Sequence, residues 1–534
     1  MDWRKRVPAR EVRSFSSILE QLAAIRGVDD LDEYLYPSAS SLTDPYELDN
    51  MEDAVARIVE ALDKGQKITV FMDFDNDGVC SGAIMVRWLR NFTHSVDYIV
   101  YERHLDHGLK DKEIPDTDLL IIVDSGTNDV KECKELKERG IDVVIIDHHL
   151  PSVVNDWAVI VNNQIGDYRS KALSGSGVVF KVIQALDAYF GTTYHQDFYD
   201  LAAIGIIGDI MSLREPENRY IVSQGLSNIV NPGIRKLLEK KKSDLNNLTS
   251  TTISFSIVPL VNAATRMNQI HTIVKLLLSD DFDIVETLAD ECIKLNDYRK
   301  QKQQIALDNL EFDNSRNIIF CVENELAGNL RGLIANQLAN EYHKCAIVVK
   351  LNENTNIYEG SGRGYGVTDF KEMVSGTELV ESAEGHSNAF GLRIHADKVE
   401  AFLNKCDELL DIEDNQYLDY DLELDADEVN DLVIKDIELW NRIAGRECEP
   451  IRVKVKDLTI YGRKVKGKNR NVVQLEGENV NLIKFNVADD YAENVGAFDS
   501  VDAIGVLGFN KWYHWGKKEW IVESQMIIDD FKLS

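Results

Sequence analysis

Long apolar runs are missing from this 534-residue chain. No stretch approaches the roughly 18 to 20 apolar residues that cross a bilayer, which excludes a helical membrane protein. The opening MDWRKRVPAREVRSF carries charge without an apolar core, so no secretory signal is expected. Cysteine is scarce: seven are scattered along the chain, with no CxxC pair. That argues against a zinc ribbon or a disulfide framework and predicts reduced thiols in a cytoplasmic protein. Internal repeats and long low-complexity segments are also missing. The largest shortage is positive charge, with 59 Lys and Arg against 91 Asp and Glu and a net charge of −32. Such a molecule is repelled by polyanions as a whole, so any contact with nucleic acid needs basic groups gathered locally. One gathering exists at residues 452–470, RVKVKDLTIYGRKVKGKNR, with eight Lys or Arg and one Asp. RKLLEKKKSD, at 235–244, is a weaker one. Taken alone, a basic run is an ordinary solvated face.

What is present is a series of carboxylates at the ends of apolar runs. KITVFMD closes on Asp73, DLLIIVD on Asp124 and VVIID on Asp147. Short β-rich runs of this kind read as fully buried parallel strands. Helical stretches separate them: GAIMVRWLRNF follows the first, and VKECKELKERG follows the second and ends in a C-capping glycine. The alternation predicts a doubly wound parallel sheet, whose ligands sit at the carboxyl ends of the strands. A fourth apolar stretch, LAAIGIIGDIMSL, carries Asp209, which is costly to bury without a partner.

The first strand runs into MDFDNDG, with Asp73, Asp75 and Asp77 at alternate positions, and the third runs into DHHL, with His148 and His149. Like charges this crowded call for a cation between them. Carboxylates with imidazole suit Mn²⁺, Zn²⁺ or Fe, and carboxylates alone suit Mg²⁺ or Ca²⁺. Two ions roughly 3.5 to 4 Å apart need about six protein ligands. Asp73, Asp75, Asp77, Asp124, His148 and Asp209 supply that number. Each piece also has a plainer reading: an Asx turn or part of a calcium loop for DxDxDG, a helix N-cap for an aspartate at a strand end. Their conjunction on one sheet favours one metal site.

In order, MDFDNDG, VDSG, DHH and LAAIGIIGD resemble the four motifs of the DHH phosphoesterase superfamily. Within it the chain is most similar to the RecJ family of single-strand-specific 5′→3′ exonucleases, over nearly its whole length. AAIRGVDDLDEYLYP, LSGSGVVFKVIQAL, ENRYIVSQGL and VNAATRM match further RecJ stretches, and GSGRG (360–364) and GHSNAFGL (385–392) resemble the two motifs of the associated DHHA1 domain. Met72, His107, Thr265 and Glu384 depart from the pattern, and none of them removes a ligand. The resemblance implies a DHH domain with its lead-in over 1–280, a connecting helix over 281–312, a DHHA1 domain over 313–410, and an acidic linker with an OB-like barrel over 411–534. It implies two ions, Mn²⁺ or Mg²⁺. It gives catalytic roles to Asp147, His148, His149 and His386, with Asp147 orienting the histidines. Arg103, Arg266, Ser361, Arg363 and His386 would bind the 5′ phosphate or the DNA, with Arg363 and His386 facing the metals across a cleft.

Residues 281–311 read as one long helix, with Val285, Leu288, Cys292 and Leu295 at helical spacing and the polar RKQKQQ after them. GSGRG reads as a glycine-rich turn that lets backbone approach a phosphate. The short strands from IRVKVKDLTIYG onward predict a small barrel. Tyr461, Phe509, Trp512, Tyr513 and Trp515 accompany the basic run, and a barrel with cations and aromatics holds single strands. Arg463, Lys464, Lys466, Lys468 and Arg470 then form a DNA track. The expected partners are single-stranded DNA and a single-strand-binding protein or helicase, with the enzyme a monomer acting in DNA repair, recombination or replication. Two other functions fit the motifs: a phosphodiesterase of short oligonucleotides or cyclic dinucleotides, and a non-catalytic replication or repair scaffold.

Overall fold

The computed structural model describes residues 2–8, 16–102, 107–325, 328–410, 417–467, 469–514, 516 and 518–534. Arg103, Lys468 and Trp515 lie outside these residues, as does the side chain of Tyr513. The chain forms two compact units. One comprises residues 1–99, 108–258 and 416–534, the other 100–107 and 259–415. No helix among the described residues is long and apolar enough to cross a membrane.

The first unit opens with two short helices, α1 (Ile18–Arg26), capped by the Ser17 side chain, and α2 (Leu31–Leu35), capped by Asp30. A parallel sheet follows. Its strands are β1 (Ile68–Met72), β2 (Val96–Val100), β3 (Leu119–Val123), β4 (Asp142–Asp147) and β5 (Val159–Asn162), in the order β2-β1-β3-β4-β5. Every residue of β1 and β3 is buried, as an apolar run covered on both faces requires. Helix α3 (Asn76–Leu89) leaves β1, and α4 (Gly175–Phe190) and α5 (Tyr199–Gly208) pack against it. Two of the predicted strands end just before Asp73 and Asp124, and the third ends on Asp147. The fourth apolar stretch is helical, and Asp209 is the C-cap of α5. A run buried on all sides, with mixed small and branched residues, carries no period that separates helix from strand.

The second unit contains the long helix α6 (Phe282–Asp308), close to its predicted span. A sheet of β6 (Ile318–Val322), β7 (Cys345–Asn352), β8 (Ile357–Arg363), β9 (Ser382–His386) and β10 (Ala389–His395) follows, in the order β9-β10-β8-β7-β6, with helix α7 (Gly328–Tyr342) packed on β7 and β8. GSGRG is not a turn: Gly360–Arg363 lie inside β8, paired with β7 on one side and β10 on the other. Gly360 fits there because a side chain would collide with the Val348 carbonyl.

The chain then returns to the first unit. After β11 (Leu422–Asp425) and α8 (Asp431–Asn441) come β12 (Val453–Lys466), β13 (Val472–Gly477), β14 (Asn481–Phe485), β15 (Ser500–His514) and β16 (Glu519–Leu533). They pair in the order β12-β13-β14-β16-β15, and β15 pairs back onto β12, which closes a five-stranded barrel with β11 attached to β12. The barrel does not stand alone. Leu22, Ile25 and Leu35 from the start of the chain share one core with Trp440, Val453 and Leu458.

Candidate metal centre

The turn after β1 places the first three carboxylates. Asp73 follows the strand, Asp75 caps α3 by accepting the Gly78 N–H at 2.9 Å, and Asp77 sits in the first helical turn, where the helix dipole favours negative charge. Only glycine fits at 78, because a Cβ would lie 2.7 Å from the Asp73 carbonyl. One oxygen of Asp77 accepts the Ser174 hydroxyl at 2.9 Å and the Ser176 N–H at 3.1 Å, while Asp77 Oδ2 is buried with no hydrogen-bond partner among the described residues. Asp124 follows β3 with φ 61°, a left-handed conformation that aspartate tolerates better than most residues. A side chain at Gly175 would collide with its carboxylate.

The third motif splits into two roles. Asp147 is buried and fully engaged. Its Oδ1 accepts the backbone N–H of His148 at 2.7 Å and of His149 at 3.2 Å and lies 2.7 Å from His149 Nδ1, and its Oδ2 accepts the Thr127 N–H at 3.1 Å. It therefore orients the His149 ring and holds the backbone of both histidines. His148 Nε2 lies 3.3 Å from Asp124 Oδ1 and 3.6 Å from Asp209 Oδ2. Asn162 braces the loops from behind, donating to Thr127 Oγ1 at 3.0 Å and the His149 carbonyl at 2.9 Å.

Crowding sets the electrostatics. Burial, then Asp77, Asp75 and Asp73, push the Asp124 carboxyl well above the usual range. Burial, then Asp77 and Asp75, raise Asp209 to about 8, with His149 and Arg446 opposing. Burial lowers His148. Burial opposes charge on His149 too, but its bond to Asp147 outweighs this and raises it to about 9. Burial would raise Asp147, and the same bond holds it below the usual range. An acidic site that suppresses its own ionisation, with buried carboxylate oxygens lacking donors, fits divalent cations. Three groups of ligating atoms lie within 4.8 Å of one another: Asp124, His148 and His149; Asp77, His148 and Asp209; Asp73, Asp75 and Asp124. His148 and Asp124 each belong to two groups.

All six residues expected to bind metal thus converge, joined by His149. Sequence reasoning gave no role to Ser174, Gly175, Ser176, Thr127 or Asn162. The LSGSG and VDSGT stretches hold most of them, but hydrogen bonds to a distant carboxylate have no sequence period. In the second unit, Ser361 and Arg363 share one face of β8. Arg363 stands opposite Ala389, which stands opposite exposed His386, so arginine and histidine occupy one row of the sheet. Gly332 of α7 makes room for the guanidinium: a Cβ there would lie 2.6 Å from Arg363 Nη2. Arg266 ends its own helix, Val258–Arg266. On the barrel, Lys464 pairs with Glu476, Arg470 pairs with Asp489 at 3.0 Å, and Arg463 donates to the Tyr491 carbonyl at 2.9 Å. Lys466 is exposed and has no ion pair among the described residues.

Residues 67–206 match the model of the DHH family, N-terminal domain. The chain is 28% identical to the putative SPbeta prophage-derived single-strand DNA-specific exonuclease YorK of Bacillus subtilis, over 90% of this chain and 91% of that protein. It is 26% identical to the single-stranded-DNA-specific exonuclease RecJ of Bacillus subtilis, over 96% of this chain and 68% of that one. Among solved structures, RecJ from Thermus thermophilus in complex with Mn²⁺ superposes with a TM-score of 0.78 at 23% identity, covering 97% of this chain and 76% of that chain. The motifs, the sheet that carries them and these likenesses agree: residues 67–206 match the DHH family's N-terminal domain, and the fold is like that of RecJ.

Proposed function

We propose that this protein is a metal-dependent exonuclease that removes nucleoside 5′-monophosphates from the 5′ end of single-stranded DNA, in repair, recombination or replication. The observation that carries the reading is the convergence of Asp73, Asp75, Asp77, Asp124, His148 and Asp209 at one end of the sheet, in a chain similar to single-strand-specific exonucleases along nearly its whole length. These six residues would hold two Mn²⁺ or Mg²⁺ ions. Bound there, such ions stabilise charge on phosphate oxygens and lower the pKa of water. The chain's own groups do the rest. His149, whose Nδ1 lies 2.7 Å from Asp147 and which is about half exposed, offers a ring N–H to a phosphate beside the carboxylates. Ser361, Arg363 and His386 offer a hydroxyl, a guanidinium fork and an imidazole on one sheet, a set suited to a terminal phosphate.

The test is a strand labelled at either end, digested with Mn²⁺ and with Mg²⁺. Mononucleotides released from the 5′ end, with duplex DNA spared, are expected. Release from the 3′ end withdraws the polarity. Hydrolysis confined to dinucleotides moves the protein to the short-substrate phosphodiesterases, and metal binding without hydrolysis makes it a scaffold.

A further inference from the structure

In a chain of net charge −32, one stretch of α6 holds cations without ion-pair partners among the described residues. Between Cys292 and Leu307 lie Lys294, Arg299, Lys300 and Lys302, against one acid, Asp297. A helical step of about 100° per residue puts Lys294, Tyr298 and Lys302 in one row, with Arg299 beside it and Asp297 turned about 160° away from Arg299. Lys294 and Lys302 are exposed, and the Tyr298 side chain is 47% exposed with Lys302 Nζ 5.5 Å from its ring centroid. Arg299 is partly buried, and burial opposes its charge. Its Nε and Nη2 donate to Asn296 Oδ1 at 3.3 and 3.1 Å, and its Nη1 to Gln303 Oε1 at 3.0 Å. Both acceptors are neutral amides. They take three of the guanidinium's five N–H groups and leave one on each terminal nitrogen. Gln303 is held in turn, donating from Nε2 to Gln337 Oε1 of α7 at 2.8 Å. Gln337 stands about 7.5 Å along α7 from Gly332, the residue that makes room for the Arg363 guanidinium. The amide chain therefore fastens Arg299 to the same helix that packs beside the Arg363 row.

Burying a charge without an ionic partner is costly. A guanidinium set in place by neutral amides, with two donors to spare, is suited to a phosphate. An exposed ring flanked by lysines is suited to a base. We propose that this face of α6 binds the single strand, with backbone phosphates on Arg299 and Lys302 and a base against Tyr298. The choice of ligand rests on the exonuclease reading. It makes α6 a wall of the substrate path as well as a connector.

The test uses the full chain, Ca²⁺ in place of Mn²⁺, and an oligothymidylate of about 20 nucleotides with 5-iododeoxyuridine at every third position. Irradiation joins iodouracil to an aromatic ring stacked on it. The crosslinked peptide, mapped by mass spectrometry, should contain Tyr298, and Tyr298→Leu should remove that crosslink. By fluorescence anisotropy, Tyr298→Leu should weaken binding about tenfold, while Tyr298→Phe stays within about twofold of wild type. Arg299→Gln should flatten the salt slope by about 0.7, the share of one phosphate contact. Lys302→Gln, at an exposed position where the fold tolerates the change, should do the same. No crosslink at Tyr298, or unchanged slopes in both Arg299→Gln and Lys302→Gln, overturns the proposal. So does poly-L-glutamate that competes as well as the strand, which would make this face a dock for an acidic protein. Failure of the exonuclease reading shows separately, as a crosslink at Tyr298 in a protein that releases no mononucleotides with Mn²⁺.

Discussion

At Asp124 the side chain and the backbone are both unusual. The residue is buried, left-handed and surrounded by other carboxylates. Asparagine keeps the shape and tolerates the backbone, so Asp124→Asn removes only the charge. Hydrolysis should fall at least a hundredfold, about 2.7 kcal/mol of barrier, while the metal-free protein melts at the same temperature or higher because repulsion is relieved. Activity within tenfold of wild type would remove Asp124 from the site. Asp209 and His149 set the pH behaviour. Both have folded pKa values above their ordinary ones, about 8 and about 9. Each therefore contributes stability that is complete below its unfolded pKa and is lost as pH rises through the folded value. In EDTA the melting temperature should fall from pH 6 to pH 9, and Mn²⁺ should abolish the fall. Asp209 must shed its proton to bind an ion, so calorimetry in buffers of different ionisation enthalpy should find proton release on Mn²⁺ binding near pH 7. A melting temperature that climbs toward pH 9, or binding without proton release, contradicts this assignment.

The elements show what could be read from sequence and what could not. Strands β1, β3 and β4 were legible because a strand buried on both faces needs an unbroken β-branched run, and the ligand positions follow from where such runs end. The helix α5 before Asp209 was not separable from a strand by pattern, since its apolar residues cover its whole circumference. The strand β8 was read as a turn because glycines at 360, 362 and 364 signal turns. Their cause is instead close packing: Gly360 against the Val348 backbone and Gly362 against the Phe390 ring. The row joining Arg363, Ala389 and His386 depends on strand register, which no local stretch encodes. It makes a prediction. Arg363→Lys should reduce the preference for a 5′-phosphorylated strand over a 5′-hydroxyl strand by about 10- to 100-fold. Gly332→Ala, which displaces the guanidinium without removing it, should do the same more weakly. Equal effects on both termini would mean that Arg363 does not read the end.

The basic run carries eight cations, five of them in the expected DNA track, but folding gives several of the eight acidic partners. Lys454 pairs with Asp502 at 3.1 Å and Lys456 with Asp425 at 2.9 Å. The linker and barrel are expected as a separate stretch over 411–534, whereas Trp440 packs against Tyr34 with ring centroids 4.7 Å apart and the barrel core includes Leu22 and Ile25. Burying one such side chain contributes roughly 1.5 to 3 kcal/mol, so removing residues 416–534 should leave an aggregating protein with a lowered melting temperature. An undiminished melting temperature would show that the shared core contributes nothing. This arrangement also fixes an order of events during synthesis. Arg26 bonds to Asp421, 395 positions later, and translation at about 5 to 20 residues per second makes α1 wait roughly 20 to 80 s for that partner. Meanwhile residues 259–415 have their whole unit available and can fold first. A ribosome that stalls anywhere in the last strands therefore releases a chain whose second unit is finished and whose catalytic unit is still open, with α1 exposing the surface on which the barrel should have closed.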